Sequence, residues 1–165
     1  MKVLSILSLA FFLTFGIMAY GQNTLPSITL KTLDGQDVNL TSYTGNGKVI
    51  IISMWATWCA PCKKELDALA DLYDSWQDKY QIELLAVTID TQRQFAKVKP
   101  MVESKGWPFT ILSDANNQLM ERMGVLSIPH TFVVSNTGEI VYSHIGYAPG
   151  DEIELEDKLK SLVGQ

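Results

Sequence analysis

Seven residues, Val49-Ile50-Ile51-Ile52-Ser53-Met54-Trp55, run apolar almost without a break, and Cys59-Ala60-Pro61-Cys62 follows within a few positions. A continuous apolar run of this length reads as a strand buried on both faces. From Pro61 to Lys79 the pattern is helical, with Leu66, Leu69, Leu72, Tyr73 and Trp76 recurring at spacings of three and four. The chain's only two cysteines therefore sit where a buried strand turns into a helix N-terminus. Backbone N–H groups and the helix dipole there favour a thiolate over a thiol.

Two thiols separated by two residues can face each other across one turn of backbone and close into a small ring. Cys-x-x-Cys beside a β-α-β pattern is a redox motif. A bridge enclosing so little chain gives the least loop-entropy stabilisation, so a structural staple is badly placed here and a redox dithiol well placed. Zinc needs four ligands. The chain offers two cysteines and two histidines, and His130 and His144 show no ligand spacing. Neither a metal nor another cofactor is expected.

At 165 residues and 47% hydrophobic, one domain with a sizeable core is the default. The net charge of −5 and the lack of a basic stretch exclude a nucleic-acid partner. The N-terminus reads as a targeting segment: Lys2, an apolar run from Val3 to Met18, then Ala19-Tyr20-Gly21 before a cut at Gln22. The expected division is a signal peptide at 1–21 and a single domain at 22–165, exported to a bacterial periplasm. An uncleaved N-terminal segment would instead tether the protein to the membrane. With no cysteine near the cut, lipid attachment through an N-terminal cysteine is excluded.

Alternation on both sides of Asp34-Gly35 predicts a hairpin from Ile28–Leu33 and Gln36–Leu40. Ile82–Ile89 predicts a second buried strand. Gln92–Lys105 predicts a helix kinked or split by Pro100. Phe109–Leu112 reads as a strand and Asn116–Met123 as a helix closed by Gly124. Thr131–Ser135 and Ile140–Tyr147 form a second hairpin. A last helix follows Gly150-Asp151, with Leu155, Leu159, Leu162 and Val163 facing inward. The order predicts an α/β three-layer sandwich whose central mixed sheet is parallel in the middle and ends in an antiparallel hairpin. The cysteines then fall at the C-terminal edge of the first buried strand, where open α/β sheets place chemistry.

The residues Leu33-Asp34-Gly35, Gly47-Lys48, Trp55-Ala56-Thr57-Trp58-Cys59-Ala60-Pro61-Cys62-Lys63-Lys64-Glu65 and Ile128-Pro129 resemble thioredoxin-fold proteins of the TlpA/ResA type, exported thiol–disulfide oxidoreductases. The resemblance runs from Leu25 to Val163. It implies an N-terminal β-hairpin and a strand–helix unit inserted between Cys62 and Pro129. It also implies a reductant fed by a membrane electron-donor thiol protein. The substrates would be disulfide-bearing exported proteins, such as apocytochrome c during cytochrome c maturation. The protein is expected to act as a monomer.

Cys59 is the expected nucleophile. It attacks a substrate disulfide to give a mixed disulfide, which Cys62 resolves. Glu65 lies three positions after Cys62, on the same helix face. A carboxyl pressed against that apolar face has a raised pKa and can exchange a proton with Cys62. The ResA-type branch carries an active-site glutamate at this position. The competing reading is an early-helix acid that faces solvent. Ser53 stands where plain thioredoxins have a buried aspartate, which leaves Glu65 as the better proton partner. Ile128-Pro129 is expected to be cis, as the resemblance implies, with the proline over the disulfide and the Ile128 backbone pairing with substrate. Trp58, Ala60 and Pro61 complete the expected substrate-facing rim. His130 reads either as a hydrogen-bonded imidazole starting a strand or as a neighbour of the thiols. Lys63 and Lys64 read as solvated helix-face residues.

A peroxidase of the peroxiredoxin kind is disfavoured, since Ser53 to Cys59 lacks the Pro-x-x-x-Thr-x-x-Cys spacing. A copper chaperone binding Cu(I) through the paired thiolates is the non-enzymatic alternative.

Overall fold

A computed structural model describes residues 23–163. The expected signal peptide at 1–21 lies outside these described residues. Seven strands form one mixed sheet: β1 (Thr29–Thr32), β2 (Asp37–Asn39), β3 (Val49–Trp55), β4 (Ile82–Thr88), β5 (Thr110–Ser113), β6 (His130–Val134) and β7 (Ile140–Ile145), in the spatial order β2-β1-β5-β4-β3-β6-β7. The centre, β3 with β4 and β4 with β5, is parallel. β6 pairs antiparallel with β3, and β7 with β6. The N-terminal hairpin adds antiparallel to β5, extending the sheet on the other side.

Four α-helices pack around the sheet: α1 (Ala60–Tyr80), α2 (Val98–Lys105), α3 (Gln118–Arg122) and α4 (Asp151–Val163). Alternation along the strands divides the core in two. Ile51, Trp55, Leu84, Ala86 and Val133 meet α1 and α4 through Leu66, Leu69, Trp76, Leu155 and Leu159. Ile50, Ile52, Met54, Val87, Phe132 and Val134 pack on the other side with Leu25, Leu40 and Leu119. All seven residues of β3 are buried, which explains why its sequence does not alternate. This is the expected three-layer α/β sandwich, with β5 lying between the central strands and the N-terminal hairpin.

Three local readings need correction. The 92–105 segment is split, but before Val98 rather than at Pro100: a 3-10 turn covers Phe95–Lys97, and Pro100 sits in the first turn of α2. Proline is tolerated there because first-turn N–H groups have no partner within the helix. β5 runs one residue later than expected, as Lys31 pairs with Ser113. In α4, Leu155 and Leu159 are buried, but Val163 turns outward at the helix end.

Candidate active site

Trp55 ends β3, and the next four residues climb over the sheet edge to α1. The climb is held from both sides. The Asp90 carboxylate accepts from Thr57 N–H and Oγ1, each at 2.8 Å, and from Thr88 Oγ1 at 2.6 Å. Lys63 Nζ donates to the Thr57 carbonyl at 3.1 Å, so Lys63 is a half-buried brace rather than a solvated residue. Cys59 is the N-cap of α1, with its Sγ accepting from Cys62 N–H at 3.3 Å. Pro61 falls in the first turn, where its missing N–H costs little.

Cys59 and Cys62 form a disulfide with Cα atoms 5.4 Å apart. The two sulfurs are not equivalent. Cys62 is fully buried, while Cys59 keeps 5% exposure. Trp58 beside it is 59% exposed, and Ala60 and Pro61 are exposed as well. Trp55 lies beneath, edge-on to Trp107 at 5.1 Å between ring centroids.

Glu65 is 5% exposed, so it is not a surface acid. It points from α1 onto the sheet. Ser53 Oγ donates to Oε2 at 2.8 Å and Thr131 Oγ1 donates to Oε1 at 2.6 Å. Ser53 and Thr131 are register partners on β3 and β6. Burial raises the Glu65 pKa, and the bonds from Thr131 and Ser53 oppose that shift without cancelling it.

The Ile128–Pro129 peptide is cis. Pro129 is buried, its carbonyl accepts from Gly146 N–H at 2.8 Å, and Ile128 packs half-buried against both halves of the core. Antiparallel pairing sets Met54 opposite His130, and His130 opposite Ile145. The end of β3, the start of β6 and the end of β7 therefore share one sheet edge. Two exposed apolar side chains that sequence reasoning missed, Leu126 at 90% and Ile145 at 58%, lie at this edge with Trp58. An apolar residue two positions before the Ile-Pro pair was a signal for the first. The second needed the β6–β7 register.

His130 starts β6 as a hydrogen-bonded imidazole. It stacks on Phe132 at 4.1 Å and its Nε2 pairs with Ser143 Oγ at 2.7 Å, on the sheet face opposite α1 and Glu65. Burial lowers its pKa, and the nearby His144 lowers it further.

Residues 22–143 match the model of the AhpC/TSA family. The chain is 32% identical over 118 residues to the thiol–disulfide oxidoreductase ResA of Geobacillus thermodenitrificans, covering 72% of this chain and 65% of that protein. It is 30% identical over 132 residues to ResA of Geobacillus kaustophilus, covering 80% and 73%. A thioredoxin-like protein of Porphyromonas gingivalis superposes with a TM-score of 0.76 at 41% identity, covering 85% of this chain and 92% of that one. The chain thus belongs to the AhpC/TSA family of thioredoxin-like proteins and stands within it beside the ResA-type thiol–disulfide oxidoreductases.

Proposed function

We propose that this protein reduces disulfides in exported proteins, with Cys59 as nucleophile, Cys62 as resolving thiol and Glu65 as their proton partner. The observation that carries the reading is the inequality of the two sulfurs: Cys59 reaches the surface at a helix N-terminus, while Cys62 is sealed one turn deeper. An incoming disulfide meets Cys59 alone. The thiolate attacks one substrate sulfur, and the other leaves as a thiolate. Cys62 then attacks the Cys59 sulfur of the mixed disulfide, regenerating the Cys59–Cys62 bond and freeing the reduced substrate. Cys62 must lose a proton at that step, inside an apolar core. Glu65 sits three residues on along the same helix and is the buried base available to take it.

Trp58, Leu126 and Ile145 give the edge an apolar rim. This suits an extended polypeptide whose cysteines are flanked by apolar residues, with Ala60, Pro61, Ile128 and Pro129 as the backbone-facing part of the contact. A membrane thiol protein would return the electrons, and cytochrome c maturation is one process that needs such a reductant. Secretion into the periplasm follows from the N-terminal pattern. The copper reading gains no third ligand from His130, whose ring stacks on Phe132 on the sheet face opposite α1.

With insulin as the disulfide probe, Cys59→Ala is expected to abolish reduction, and Cys62→Ala to accumulate a mixed disulfide visible by mass spectrometry. Equal activity in Cys59→Ala and the parent would sink the mechanism. Direction is tested by the potential of the Cys59–Cys62 couple. A value near that of thioredoxin, about −270 mV, fits a reductant, whereas one near that of DsbA, about −120 mV, reverses the assignment.

A further inference from the structure

Glu65 is buried beneath α1, and a group that takes up a proton in every cycle must also release it. Strand register offers the route. Ser53 on β3 pairs with Thr131 on β6, and Thr131 pairs with His144 on β7. Side chains of directly paired residues share a face, so a polar row crosses three strands under α1 and ends at the edge strand. Beside it lies a cavity of about 10 Å³ bordered by Glu65, Thr131, His144, Tyr147 and Asp151. That is about the volume one water needs, and although Leu69 and Leu155 help make the wall mostly apolar, the Glu65 carboxyl and the His144 imidazole offer such a water two polar partners. At the far side His144 is about one-third exposed, and its Nε2 lies 3.2 Å from Asp151 Oδ2 in the first turn of α4.

We propose that His144, oriented by Asp151, is the outlet through which the Glu65 carboxyl exchanges protons with solvent, by way of one water in the cavity between them. The inference rests on the reading of Glu65 as proton partner of Cys62. With Nε2–H donated to Asp151, the imidazole presents Nδ1 as an acceptor. As Cys62 attacks the mixed disulfide, its S–H proton passes to the Glu65 carboxylate. The departing substrate thiolate takes a proton from bulk water. Glu65 then gives its proton to the cavity water, which gives one to Nδ1, and the imidazolium releases it to solvent. One proton enters and one leaves, and the only electrons moved are those of the dithiol exchange.

The other groups facing Glu65 are poor outlets. β3 and β6 present hydroxyls, and α1 presents Cys62 itself. Tyr142 and Tyr147 are pushed up to about 12, chiefly by burial and then by Glu154 and Glu152 respectively, so both stay phenols. On α4, Glu152 accepts from Tyr147 and from Gly150 N–H, and Asp151 is bound by Ala148 N–H at 2.7 Å as well as by His144. Histidine is the side chain that ordinarily gains and loses protons between pH 5 and 8.

The test is a titration of the full chain carrying 13C-labelled glutamate, reading the Glu65 side-chain carboxyl carbon. In the parent, its resonance should move as one averaged signal. In His144→Gln, proton exchange should slow on the order of tenfold, less than the ~10²-fold for loss of a general acid–base group itself, and the signal should broaden or split. The Glu65 midpoint should also rise, since His144 lowers it. The same upward shift should appear in the pH profile of insulin reduction. Imidazole added to His144→Ala should restore the single averaged signal. If His144→Gln does not fold, Asp151→Asn should slow exchange in the same direction, more weakly. Identical Glu65 exchange and midpoint in the parent and in both variants would overturn the outlet. Should Glu65→Gln still alter the pH profile of reduction in that case, the proton role of Glu65 would survive. Should Glu65→Gln leave that profile unchanged, both readings fall.

Discussion

Asp90 and Glu65 are both buried carboxylates in the half of the molecule that carries the disulfide, and their surroundings differ. Asp90 accepts from a backbone N–H and from two hydroxyls, and those donors belong to two separate segments, Thr57 in the climb to Cys59 and Thr88 at the end of β4. Glu65 accepts two hydroxyls, one per oxygen, and borders a small cavity that His144 and Asp151 also line. A backbone N–H is fixed in direction and only donates, so it commits its partner to being an acceptor. A hydroxyl can turn and accept instead. The Asp90 cluster is built to hold a loop. The Glu65 cluster can accommodate either protonation state, and desolvation tilts it toward the neutral acid. Burial alone does not tell a structural acid from a chemical one; the kind of donor and the path to water do.

The largest expected effect comes from breaking the Asp90 clamp. Asp90→Ala strands the Thr57 N–H and two hydroxyls in a buried site, at a cost of about 3 kcal/mol or more. Urea unfolding should show this as a lower midpoint with an unchanged slope. Insulin reduction should fall too, because Thr57 sets the entry to Cys59. If Glu65→Ala proves the more destabilising of the two, the contrast between clamp and proton site is wrong.

Glu65→Gln should do the reverse. Its turnover should fall by up to about 10²-fold, while stability at neutral pH should rise. The sign follows from linkage. The folded-state pKa of Glu65 is raised, so the native protein holds this proton more tightly than the unfolded chain does. Stability is then highest below the unfolded value, about 4.3, and is lost as pH rises through the folded value. Glutamine has no such proton, so the variant should melt above the parent at pH 8, with the gap closing toward pH 4. A parent that gains stability over the parent-to-variant gap as pH rises would contradict the burial assigned to this carboxyl.

How much of this was legible beforehand divides along locality. The Glu65 position on the Cys62 face of α1 is a property of three residues' spacing, and the buried β3 announces itself by composition. The row Ser53–Thr131–His144 depends on how β6 and β7 register against β3, and nothing local to those residues encodes it. Thr131, His144 and Asp151 were accordingly invisible as a group. Asp90 carried a usable signal that was passed over. It is a lone acid closing the apolar run of β4, at the sheet edge where the chemistry was already expected. The misplaced break before Val98 has another origin. Proline at a third helical position and proline in a helix interior look the same until the helix start is known.

The smallest expected effect separates the two faces of the sheet through their histidines. His144 sits at the edge with a carboxylate partner, whereas His130 is buried against Phe132 with only the Ser143 hydroxyl. Burial lowers the His130 pKa, so the unfolded chain takes up this proton first as pH falls. The parent should therefore lose stability from about pH 6.5 downward, with the loss continuing to the folded value. His130→Gln keeps a hydrogen-bonding group for Ser143 and removes the titration. Its melting temperature should fall less than the parent's between pH 7 and pH 5, by a few degrees at most for ~1 kcal/mol. Because His130 lies across the sheet from Glu65, the same variant should leave the Glu65 limb of the pH–activity profile nearly in place. A displacement of that limb as large as in His144→Gln would mean that the sheet does not insulate its two faces, and the route from Glu65 to solvent would have to be redrawn through both.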